Sequence, residues 1–98
     1  MMACITFPNE VTIFTVDKTY AKCVNTIEQH AGAVSFDFQH TEEVDGCGLQ
    51  LILQLSSMIK DTNNDVVITH SCEALNDVAA VFNVTDMLGL STAKESTQ

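Results

Sequence analysis

The residues best placed to do chemistry fall in one run, Glu42-Glu43-Val44-Asp45-Gly46-Cys47-Gly48. It holds three carboxylates, one thiol and two glycines. Paired carboxylates can act as general acid and base or hold a divalent ion, but either task needs convergent partners, and no histidine lies within the run. The acids read instead as solvated charge able to meet a basic protein surface. Cys47 would stand at the front of a helix, where the helix dipole favours thiolate. Glu42, Glu43 and Asp45 oppose that effect as like charges. A phosphate could rest on the N–H groups of Gly46, Cys47 and Gly48, but no lysine is near and the glycine stretch is short.

The remaining reactive side chains are scattered. Cys4, Cys23, Cys47 and Cys72 form no Cys-x-x-Cys pair, which argues against a zinc ribbon or a thioredoxin-type site. Cys4, Cys23 and Cys72 are expected as small core fillers. His30, His40 and His70 are far apart. His70 and Cys72 flank Ser71, but two ligands do not make a metal site. No catalytic residue, metal ligand or cofactor is therefore assigned, and the chain reads as a non-enzyme.

Elements must position the run. Asp45 suits a helix N-cap, its carboxylate accepting from a free N–H of the first turn. Gly46 and Gly48 allow a sharp turn and a close approach to a neighbour. Gly48, Leu51, Ile52, Leu55, Met58 and Ile59 then recur at helical spacing, predicting a helix to about Lys60 with Gly46 and Cys47 at its exposed tip. Upstream, Ala3–Phe7 and Val11–Val16 are rich in β-branched and aromatic residues, and Pro8-Asn9-Glu10 between them predicts an antiparallel hairpin. Asp17 stands where a helix cap belongs. Tyr20, Ala21, Val24 and Ile27 supply the apolar stripe, and Ala31-Gly32 the stop. Ala33–Phe38 alternates as a third strand, with Val34, Phe36 and Phe38 facing helices. After the loop Asp61–Asn64, Asp65–Thr69 reads as a strand buried on both faces. Ser71 is the expected cap of a last helix with Leu75, Val78, Ala79 and Phe82 inside, and Val84–Leu90 closes the fold. The order is β-β-α-β-α-β-α, an α/β sheet with right-handed crossovers.

Ninety-eight residues suit a single domain, with an ordered core over about residues 2–90 and a frayed polar tail over 91–98. Thirteen acids against four bases give a net charge of −9, a poor match for nucleic acid, whose phosphates need Lys and Arg. No apolar run approaches a membrane span. The start, Met1-Met2-Ala3-Cys4, lacks the basic region of a secretory signal, so the cytoplasm is the expected location.

A strand ending at Asp37 and, seven positions on, Val44-Asp45-x-x-Gly48-Leu49 opening a helix resemble the STAS domain. That family comprises anti-sigma factor antagonists, stressosome proteins and the cytoplasmic ends of sulfate transporters. The resemblance covers roughly residues 10–90. It implies a STAS-like mixed β-sheet of about four to five strands, with helices mainly on one face. It also implies a bacterial partner-switching module, in which the Asp-Ser/Thr-x-Gly turn is phosphorylated to release the partner. Here the hydroxyl position is Gly46, which no kinase can phosphorylate, and Cys47 follows it. A Gly that members often carry before the Asp matching Asp17 is here Phe14.

What the resemblance implies is docking of a protein with a basic groove, an anti-sigma factor or kinase-like protein. The expected surface is Glu42, Glu43, Asp45, Gly46, Cys47 and Gly48, with Gln50 and Gln54 on the helix behind them. The alternative is a STAS accessory subunit of a phospholipid-transport ABC complex, which would bind its ATPase through the same helix without entering the membrane. A redox sensor built on Cys47 is the third reading.

Overall fold

The computed structural model describes residues 3–29, 32–62 and 64–84. It is a small α/β fold of five strands and three helices among these residues: β1 (Ala3–Thr6), β2 (Glu10–Val11), α1 (Val16–Gln29), β3 (Val34–Asp37), β4 (Glu43–Val44), α2 (Gly46–Lys60), β5 (Val66–His70) and α3 (Glu73–Val81). One short strand, β4, is added to the order expected. The closing segment beyond Val84, the tail 91–98, Ala31 of the first helix stop and Asn63 of the second loop lie outside the described residues.

The strands form two sheets, not one mixed sheet. β1, β3 and β5 make the larger, in that order, and β2 and β4 make the smaller. Every described pairing is parallel. The expected β1–β2 hairpin is thus corrected. Phe7 N–H donates to Asp37 O at 2.8 Å, extending the bonding to β3, and Asn9 O accepts from the N–H groups of Glu42 and Glu43. The expected second strand stops at Val11 because Thr12 and Thr15 bond locally. Thr12 N–H donates to Thr15 Oγ1 at 3.0 Å, and Thr15 N–H to Thr12 O at 2.9 Å. Such local bonds compete with a ladder.

The core lies where Ile5, Phe36 and Ile68 stand in register across the larger sheet. Phe7, Phe36 and Phe38 form an aromatic cluster there, with Phe7 and Phe38 stacked at 4.3 Å. α2 crosses this core and buries Leu49, Leu51, Ile52, Leu55 and Ile59. It packs against both other helices. Its buried face is wider than expected, taking in Leu49 and Ser56, while Met58 is half-buried.

Six further expectations are corrected. In α1 the buried residues are Thr19 and Cys23, while Tyr20 and Ala21 are exposed. The helix begins at Val16, so Asp17 is in its first turn and not its cap. β5 exposes Val67 because it is an edge strand whose outer face nothing described covers. Cys72, not Ser71, caps α3: its Sγ accepts from Leu75 N–H at 3.4 Å, and Ser71 Oγ donates to Asn76 Oδ1 instead. Phe82 is exposed because the helix ends before it and Asn83, at φ 58°, turns the chain. Of the cysteines expected inside, Cys23 is buried and Cys72 half-buried, but Cys4 is exposed because even-numbered residues of β1 face away from the core.

Candidate functional site

Asp45 organises the tip of α2. Its Oδ1 accepts from Gly48 N–H at 2.8 Å, and its Oδ2 accepts from Ile13 N–H at 3.0 Å. One oxygen caps the helix, and the other holds the Thr12–Thr15 turn against it. Burial acts to raise the pKa of this carboxyl. Hydrogen bonds from the backbone N–H groups of Ile13, Gly48 and Cys47 outweigh that effect and hold it below its ordinary 3.8.

Gly48 fixes the depth at which α2 meets β2. A Cβ built on it would lie 1.9 Å from Val11 O, so only glycine fits without a shift. Val11 O also accepts from Asp45 N–H at 3.4 Å, and the two-residue ladder between β2 and β4 completes the clasp. Gly48, expected among the contact residues, is buried and shapes the surface by packing.

The other expected residues lie about this tip. Glu42, Glu43, Cys47, Gln50 and Gln54 are exposed. Gly46 is half-buried, 3.5 Å from the Phe82 ring when a Cβ is placed on it. Cys47 borders two hollows. One, of about 590 Å³, has Ile13, Gly46, Leu53 and Phe82 on its walls. The other, of about 510 Å³, lies between α1 and α2 and brings Gln50 and Gln54 beside Tyr20.

The sequence reading missed the apolar rim. Ile13 is 60% exposed, Phe14 87% and Phe82 57%. Ile13 and Phe14 had the composition of a strand, and Phe82 had the spacing of a core residue. A signal for the first pair was present: Thr12-x-x-Thr15 just ahead of a helix is a local turn motif.

Elsewhere, His70 Nδ1 stands 3.4 Å from Asp37 Oδ1 at the ends of β5 and β3. Gln39 donates to the same carboxylate through its backbone N–H at 2.9 Å and its Nε2 at 3.0 Å. Among the described residues no group of three His, Cys, Asp or Glu side chains could hold a metal ion. No helix among them is long and apolar enough to cross a membrane.

No family model matches the chain, and no curated protein matches it. The arrangement itself offers a rigid helix tip, a thiol at its crest and an apolar rim.

Proposed function

We propose that the chain is a non-enzymatic docking module of the STAS type, similar to anti-sigma factor antagonists, and that it presents the tip of α2 to a protein partner. The observation that carries this reading is the double use of Asp45. One carboxylate locks the helix front and the Ile13 turn together, so the surface is formed before a partner arrives. Because Gly46 offers no hydroxyl, the module stays in its binding state. Glu42 and Glu43 are exposed next to the tip and favour a partner with basic residues around an apolar patch.

The apolar rim also favours a second reading, an accessory subunit of a phospholipid-transport ABC complex. Lasting assemblies use more apolar interfaces than transient ones, and Phe14 is almost fully exposed.

Affinity purification from the native cell tests both. A co-eluting kinase-like or signalling protein supports the first reading, and a co-eluting ATPase with its permease selects the second. In either case Cys47→Asp should reduce capture about ten-fold, since it places charge on the crest of the interface. Capture unchanged by both Cys47→Asp and Phe82→Ser would remove the tip as the docking surface. Incubation with a serine kinase of the anti-sigma type and ATP should leave residues 41–50 unmodified in the mass spectrum.

A further inference from the structure

We propose that the outer edge of β1, with the groove between it and α1, takes up an extended acidic segment of a partner protein as an added strand. This groove shares no lining residue with the two hollows at the α2 tip and does not depend on the STAS reading.

β1 is the end strand of the larger sheet, and among the described residues it is paired only to β3. Ala3 N–H and Phe7 N–H donate toward that partner, to Ala33 O at 3.3 Å and Asp37 O at 2.8 Å. Alternate residues of a strand turn their backbone groups to opposite sides, so Cys4 and Thr6 present theirs to the edge away from β3, which no described strand covers. The side chains of these two residues are exposed as well. Nothing in Ala3-Cys4-Ile5-Thr6 carries a charge or a proline, the usual means of blunting an edge.

The groove beside this edge has a volume of about 560 Å³. Cys4 to Pro8 forms one wall, and one face of α1 forms the other. Lys18, Lys22 and His40 line it, and no Asp or Glu does. The full chain has four Lys and Arg residues against thirteen acids, so two of its four bases stand in one groove on an otherwise acidic molecule.

The spacing matches a strand. Lys18 and Lys22 are one turn apart along α1, a rise of about 6 Å. Alternate side chains of an extended segment repeat at about 6.6 Å. Carboxylates at positions i and i+2 of an added strand would therefore meet successive lysines while its backbone pairs with Cys4 and Thr6. A free phosphate would use the lysines but leave the strand edge unmatched. Nucleic acid would find too few cations on a chain of net charge −9.

The test uses the full chain and a fluorescein-labelled synthetic peptide of alternating valine and glutamate, read by fluorescence anisotropy. A second peptide, N-methylated at alternate backbone positions, has the same charge but cannot add as a strand. The unmodified peptide should bind, and amide exchange at Cys4 and Thr6 should slow when it does. N-methylation, or the paired change Lys18→Glu with Lys22→Glu, should each weaken binding by about ten-fold or more. Both lysines are exposed, and a thermal melt matching the unaltered protein shows that the variant folds. The proposal fails if the two peptides bind equally, if the lysine variant binds as well as the unaltered chain, or if millimolar peptide gives no signal. Displacement of the peptide by equimolar inorganic phosphate would show a simple anion site and overturn it. Sedimentation showing a dimer that the lysine changes dissolve would assign the edge to a second copy of this chain instead.

Discussion

Asp45 does two structural jobs with one side chain, so its loss should exceed that of an ordinary cap. Asp45→Ala removes the acceptor for Gly48 N–H and also leaves Ile13 N–H without its partner. A cap alone is worth about 1 kcal/mol, so the substitution should cost roughly 1–2 kcal/mol in urea denaturation. The pH dependence follows from the lowered pKa. The native state holds this carboxyl ionised below the pH at which the unfolded chain takes up a proton. The stability it contributes is therefore full above its ordinary 3.8 and is lost as pH falls through the lower native value. In an acid titration the difference between the unaltered protein and Asp45→Ala should shrink across that window. A difference that stays constant to the lowest pH would mean that the hydrogen bonds do not depend on the charge.

At the scale of elements, α2 is the piece on which the others are placed. Its front is pressed against β2 at Gly48, its flanks lie against α1 and α3, and its buried residues share one core cluster with Phe7, Phe36 and Phe38. Gly48→Ala sets a methyl group where the Val11 carbonyl already is, and backbone cannot yield as a side-chain end can. The cost should be about 1–3 kcal/mol, despite the better helix propensity of alanine. The change should also disturb the amide signals of Ile13 and Phe14, which hang from the same clasp. If Gly48→Ala were as stable as the unaltered chain, the close approach of α2 to β2 would be refuted. Gly46→Ala provides the contrast. Its methyl would meet the Phe82 ring at an ordinary contact distance, so stability should move by less than about 0.5 kcal/mol.

At the scale of the whole molecule, charge dominates. The thirteen acids repel one another in the folded state with only four bases to offset them, and among the described residues the single acid–base side-chain contact is His70–Asp37, an ion pair only when the histidine is protonated. Added salt screens that repulsion over a Debye length of about 10 Å at 0.1 M. The melting temperature should therefore rise as sodium chloride goes from about 0.01 M to 0.2 M, where a molecule held by ion pairs would lose stability. A flat or falling melting temperature would show that the acids are spread too thinly to oppose folding.

Periodicity alone located α2, its Asp45 cap and the exposed Cys47, because a cap and an apolar stripe are local properties of a helix. The alternation of Val34, Phe36 and Phe38 likewise marked β3 as the strand over the core. The crossover through α2 implied the parallel pairing of β3 with β5, but the partner of β1 was not legible. Ala3–Thr6 has the composition of a hairpin arm, yet it pairs in parallel with β3, since hydrogen-bond partners distant in the chain leave no trace in either segment. The same limit hid the rim of Ile13, Phe14 and Phe82 and the gathering of Lys18, Lys22 and His40 beside the outer edge of β1. Apolar residues at helix or strand spacing look like core until the packing shows that no element covers them. Only the tertiary structure decides which faces are left over, because exposure belongs to the arrangement of elements and not to any one of them.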